Sequence, residues 1–152
     1  MILNDKGEID RAAVDELYKR KDGEDDKTYE ARMNKLDLDL LKHENPVVRR
    51  HVFNAPRNFN ENSQHLQALA AHLKAEKDPG VLSKGLNSLS NNLGVSPELY
   101  AFYKECATNP DKDIRKGAAI GIVNSNNKSV EGIYDEAVKL LDDEDSTVAG
   151  YA

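Results

Sequence analysis

Five cations carry the most suggestive chemistry in this chain. Arg49, Arg50, Lys84, Arg115 and Lys116 lie four to six residues after Asn45, Asp78 or Asp111, at matching phases of three related segments. Guanidinium and ammonium groups in such an array can hold an acidic peptide, a phosphate-bearing ligand or a nucleic acid through charge-assisted hydrogen bonds. The competing reading is that they pair with Asp and Glu of neighbouring segments. Arg50, Lys84 and Lys116 are the contact candidates, with Asn54, Asn87 and Asn91 as polar neighbours able to donate and accept.

Other reactive side chains lack the company that chemistry requires. His43, His51, His65 and His72 form no HExxH or other metal spacing, and they read as surface or interface residues. Cys106 is in phase with Leu99, Phe102 and Tyr103, so it reads as a core residue rather than a nucleophile. The acidic runs Asp22–Asp26 and Asp142–Asp145 read as solvated loops. NDKGEID at Asn4–Asp10 resembles the turn of a calcium loop. Placing Gly7 at the glycine position puts Ile2 and Ala13 at the first and last ligands, so a solvated turn is expected instead. Neither a metal nor a cofactor is implied, and the chain carries no enzyme signature.

Composition narrows the partners. The formal net charge is −6, opposite to that of most general nucleic-acid or anionic-membrane binders. With no Trp and few Phe or Tyr, the interior must be filled by Leu, Ala and Val, as in closely packed helices. No apolar run approaches the roughly 20 residues needed to cross a bilayer, and the amino terminus has no signal-peptide pattern. A cytoplasmic protein is expected, although a mature exported form would read alike.

The elements that must position the cations repeat. Val48, Val81, Ile114 and Val148 are separated by 33, 33 and 34 residues. Three residues before each stands Asn45, Asp78, Asp111 or Asp145, a side chain suited to cap a helix. Pro46 and Pro79 fall at the first helical position, where a missing N–H costs nothing. Small residues a turn later, among them Gly85, Gly117 and Gly121, predict close helix approach. Upstream of each capped segment lies an amphipathic one: Tyr29–His43, Asn62–Lys77, Pro97–Thr108 and Ser129–Asp142. Sustained alternation, the strand signal, is absent.

DKDIRKGAA, NPVVRRHV and DPGVLSKG together resemble the second helix of HEAT or HEAT-like repeats. Asp111, Ile114, Arg115 and Ala118 match that pattern best, and Asn45, Val48, Arg49 and Val52 match it next. The other two copies carry Leu82 and Ala149 where Arg is typical. The resemblance spans roughly residues 27–152 and implies an all-α fold, a right-handed α–α superhelix of antiparallel helix pairs. It also implies an Asp–Arg ladder between repeats.

The expected organisation is an amino-terminal capping helix and acidic loop over 1–26, with Val14, Leu17 and Tyr18 inward. Repeats follow at about 27–60, 61–94, 95–127 and 128–152, the last one truncated. The expected function is a noncatalytic scaffold that binds a protein or acidic peptide, with Arg49, Arg50, Lys84, Asn87, Arg115 and Lys116 as the binding set. The alternative is nucleic-acid binding or DNA repair, as in HEAT-like DNA glycosylases. The short last helix suggests that the natural protein continues, or that this end packs on another molecule.

Overall fold

Hydrogen-bonded turns begin almost at once, and helices follow them to the end of the chain. The computed structural model describes residues 2–61 and 63–152. Asn62, the expected start of one helix, lies outside the described residues. Among the described residues there is no strand, only an isolated antiparallel bridge between Leu3 and Ile9. The protein is therefore all-α. Two compact units divide it after Val52.

The first unit holds α1 (Arg11–Tyr18), α2 (Asp26–Leu40) and α3 (Pro46–His51). Asn4 Oδ1 accepts from the backbone amides of Lys6 and Glu8 at 2.9 and 3.0 Å, which makes NDKGEID a self-contained turn. Ile2, Leu40, Leu41, Val48 and Val52 are buried. Residues 1–26, expected as an amino-terminal capping helix and acidic loop, are bound by side chains of α2. Arg32 donates to both oxygens of Glu24 at 2.7 Å and to the carbonyls of Leu17 and Lys19 at 3.2 and 2.8 Å. Tyr29 donates to the Tyr18 carbonyl at 2.9 Å.

Two expectations for this unit are corrected. Leu17 was assigned inward yet is 40% exposed, because α1 is only about two turns long and buries none of its residues, Val14 and Tyr18 being half-buried. Glu24, one of the supposedly solvated acids, has a side chain only 6% exposed. Its hydrogen bonds from Arg32 hold its carboxyl at a pKa of about 2.

The second unit holds α4 (Gln64–Ala75), α5 (Pro79–Leu89), α6 (Pro97–Cys106), α7 (Lys112–Val123), α8 (Ile133–Leu140) and α9 (Ser146–Ala149). The capping pattern is visible in both units. Asn45 accepts from Val47 N at 2.8 Å, Asp78 from Val81 N at 2.9 Å, Asp111 from Asp113 N at 2.8 Å and Asp145 from Thr147 N at 2.9 Å. Each bond satisfies an amide left over by the first helical turn and stabilises by about 0.5–2 kcal/mol. Val48, Val81, Ile114 and Val148 are all buried, as their phase requires. The helix expected from Ser129 starts later, at Ile133, after a left-handed turn through Gly132.

Helix α7 packs against α5, α6, α8 and α9. Gly117 allows α7 to approach α5 closely. A Cβ there would lie 3.0 Å from Leu86 Cβ and 3.1 Å from the Ser83 carbonyl oxygen.

Helix α5 runs into a one-turn 3-10 segment, Ser90–Asn92, and a second, Ser125–Asn127, follows α7 after the non-helical residue Asn124. Their last residues bind carbonyls of irregular chain and of helix ends. Asn92 Nδ2 donates to the carbonyls of Arg57 and Leu89 at 2.7 and 3.0 Å, while Oδ1 accepts from Phe59 N at 2.9 Å. Ser88 Oγ donates to the Ala55 carbonyl at 2.6 Å, and Arg57 N to the Ser88 carbonyl at 2.8 Å. Asn127 Nδ2 donates to the carbonyls of Ser90 and Gly121 at 2.6 and 2.8 Å. Buried carbonyls of irregular chain are thus satisfied by side-chain amides, since burial without a partner would be costly.

Candidate functional site

Helix α5 buries Val81, Gly85, Leu86 and Leu89, and this register leaves Lys84 half-buried and Asn87 exposed. Helix α7 buries Ile114, Gly117, Ala118 and Gly121, which leaves Lys116 half-buried. Because Gly117 packs against Ser83, the chain neighbours of that contact, Lys116 and Lys84, belong to adjoining stretches of the two helices. Tyr151 adds an aromatic ring. Lys116 Nζ lies 5.7 Å from its centroid, and the residue is 42% exposed. An exposed cation–π contact of this kind contributes about 0.5–1 kcal/mol. Among the described residues neither Lys84 nor Lys116 forms an ion pair with a carboxylate.

Arg115 is placed differently, although it neighbours Lys116 in the chain. It is 7% exposed. Its Nε and Nη2 donate to the two oxygens of Asp143 at 2.8 and 3.2 Å, and Nη1 donates to the carbonyls of Asn109 and Pro110 at 2.9 and 3.0 Å. Glu144 Oε1 lies 3.4 Å from Nη2. Hydrogen bonding from Arg115 lowers the Asp143 pKa, and that from Asp143 raises the Arg115 pKa. A guanidinium so enclosed joins α7 to the turn after α8 and has no donor left for a ligand.

Arg49 shows the same local geometry on α3. Its Nη1 donates to the carbonyls of His43 and Glu44 at 2.9 and 2.8 Å, six and five residues back, as that of Arg115 does to Asn109 and Pro110. Arg50 is exposed on α3 in the first unit. Of the six expected binding residues, Lys84 and Asn87 lie on α5 and Lys116 on α7, two helices that pack on each other in the second unit. Arg115 is enclosed, and Arg49 and Arg50 belong to the first unit.

Lys84, Lys116, Asn87 and Tyr151 supply two ammonium groups, a carboxamide and a phenol, with no nucleophile set against a base among these four. Cys106 is 4% exposed, and burial pushes its thiol up to about 11. Groups of three or more His, Cys, Asp or Glu placed to hold a metal do not occur among the described residues. A cleft of about 450 Å³ in the first unit is lined by Lys19, Arg20, Lys21 and Arg32. Its guanidinium groups are already engaged, however, Arg20 with Asp26 and Arg32 with Glu24, both at 2.7 Å.

Sequence reasoning passed over several residues that matter structurally. Asn92 and Asn127 carry a legible signal, since the tripeptide Ser-Asn-Asn recurs at Ser90 and Ser125. Asp37 is 2% exposed in α2 and accepts from the Tyr18 hydroxyl at 3.2 Å. His51 packs its ring edge-on to Tyr18, with centroids 6.2 Å apart. Burial lowers the His51 pKa, and the Asp37 charge opposes that shift. The only sequence signal for Asp37 was a carboxylate in phase with Met33 and Leu40 on an otherwise apolar face.

In comparisons with protein families, with curated proteins and with solved structures, nothing matches this chain.

Proposed function

We propose that this chain is a noncatalytic binding module, a short HEAT-like stack of helix pairs with right-handed superhelical sense. In this reading the exposed face of α5 and α7 holds an acidic segment of a partner protein. The observation that carries the reading is the contrast between neighbours on one helix. Arg115 is neutralised by Asp143, whereas Lys116, with Lys84 on α5, keeps its charge without a carboxylate. Unpaired ammonium groups on packed helices give a rigid pair of anchors, and Asn87 supplies a donor and an acceptor beside them. The Arg115–Asp143 pair and the repeated caps support the HEAT-like reading. Asp143 is not itself the capping Asp145, so the pairing departs from a ladder of capping residues.

A nucleic-acid ligand is the second reading, favoured by Tyr151 beside Lys116, since a ring next to a cation can stack on a base. The net charge of −6 weighs against it.

The test is fluorescence anisotropy with a labelled Glu-rich peptide and a labelled oligo(dT), using wild type and Lys84→Glu/Lys116→Glu. Circular dichroism first establishes equal helicity. Salt-sensitive peptide binding that the double variant loses is the expected result. Preferential binding of oligo(dT), lost in the same variant, would move the assignment to nucleic acid. Equal binding by both proteins would remove this face from consideration.

A further inference from the structure

The outer face of α8 is apolar where the corresponding faces of earlier helices are covered. Leu66 on α4, Tyr100 on α6 and Tyr134 on α8 share one register position, 34 residues apart at each step. Leu66 is 2% exposed and Tyr100 8%, but Tyr134 is 63% exposed. Val138 at 60% and Leu141 at 55% lie four and seven residues beyond Tyr134, on the same side of the helix. Of the five large apolar residues exposed among the described ones, three therefore form one stripe, where scattered single residues would be unremarkable.

Tyr100 shows what such a position accepts. The charges of Asp135, Glu136 and Lys139 all act on its phenol, so α8 is the element beside it. Lys104 covers its ring, with Nζ 4.8 Å from the centroid. Lys104 belongs to α6 itself, so the ring of Tyr100 is shared between a lysine of its own helix and the charged groups of α8.

Charge decides between occupants. One border of the Tyr134–Val138–Leu141 stripe carries Asp135 and Asp142, both exposed. Antiparallel docking of a second copy through the same stripe would bring acidic border against acidic border, between chains of net charge −6. A basic border would meet them favourably.

We infer that the Tyr134–Val138–Leu141 face of α8 docks an amphipathic helix of a partner protein, with small or aliphatic residues on its apolar side and Lys or Arg along one margin. The mode is helix-on-helix packing, the apolar stripe at i, i+4 and i+7 meeting the apolar side of the partner helix. It is independent of the α5–α7 face.

Two labelled helical peptides with an identical Leu/Ala face test this, one with Lys margins and one with Glu margins. They are titrated into the full chain, into Val138→Glu and into Lys84→Glu/Lys116→Glu, with helicity checked for each. The Lys-margined peptide should bind wild type and the double lysine variant equally. Binding to Val138→Glu should fall about tenfold or more. Absence of binding by the Lys-margined peptide, equal binding of both peptides, or indifference to Val138→Glu would each overturn the inference. Sedimentation showing a wild-type dimer that Val138→Glu dissociates would overturn it in favour of a second copy. Tyr134→Ala provides a milder variant should Val138→Glu fail to fold.

Discussion

The ring of Tyr103 lies across Gly121, so that a methyl group at Gly121 would overlap it. The same side chain donates its hydroxyl to the carbonyl of Leu86, which is open because the amide of Ser90 turns to Asn87 instead. One fully buried tyrosine thereby ties α6 to both α5 and α7. Gly121→Ala should gain about 1 kcal/mol of helix propensity and lose about 1–3 kcal/mol to overpacking. The loss should win, because a ring with no exposed surface has little room to move. Urea unfolding of Gly121→Ala, Tyr103→Leu and the double variant checks this: the double should be more stable than the sum of the singles predicts. Tyr103→Phe alone should cost about 0.5–1.5 kcal/mol.

Asn92→Ala should open a specific piece of backbone. It removes the acceptor of the Phe59 amide and the donor to the Arg57 and Leu89 carbonyls. A buried group left without a partner costs about 1–3 kcal/mol. Native-state hydrogen exchange should show the Phe59 amide losing its protection while amides in the middle of α7 keep theirs. Unchanged exchange at Phe59 would mean that the segment is held by other contacts.

Acid should weaken the protein through the paired carboxylates. Glu24 falls from an ordinary 4.5 to about 2 in the folded state, and Asp143 is also lowered, in each case chiefly by hydrogen bonds from arginine. The unfolded chain then binds more protons, so stability falls as pH falls. The Glu24 contribution is fully present above pH 4.5 and is lost as pH drops toward about 2. Glu24→Gln should be less stable than wild type at pH 7 and converge with it near the acid end. Urea midpoints by circular dichroism across that range measure the convergence.

Cys106 should resist alkylation. Its thiol is raised from 9.0 to about 11, so at pH 8 its thiolate fraction is about a hundredfold below that of an ordinary cysteine. Iodoacetamide followed by mass spectrometry should label the native protein slowly and the urea-unfolded protein fast. Fast native labelling would show that α6 opens readily.

Arg115→Lys should lower the thermal midpoint more than Lys116→Gln does. Lysine cannot reproduce the two-oxygen grip on Asp143 together with the bonds to the Asn109 and Pro110 carbonyls. Differential scanning calorimetry compares them directly, and equal midpoints would deny Arg115 its structural part.

Local chemistry made much of the architecture legible in the chain alone. Asn45, Asp78, Asp111 and Asp145 are capping side chains whose bonds span two or three residues, and Val48, Val81, Ile114 and Val148 follow from helical periodicity. Both depend on nearby sequence, and both are found in the structure. What lies about 30 residues away is another matter. Whether Arg115 or Lys116 is engaged within the fold depended on Asp143, 28 residues from Arg115, and that choice arises only when α7 packs near the turn after α8. Asn92 reaches Phe59 across 33 residues in the same way. Leu17 had the right period to face inward, yet the short α1 buries none of its residues and leaves it exposed. Periodicity and capping are properties of a single helix, so the sequence by itself determined where helices start and which stripe each would bury. Electrostatic pairing and amide satisfaction are properties of helices brought together, so tertiary structure alone decided which polar groups hold the fold and which stay outside those pairs.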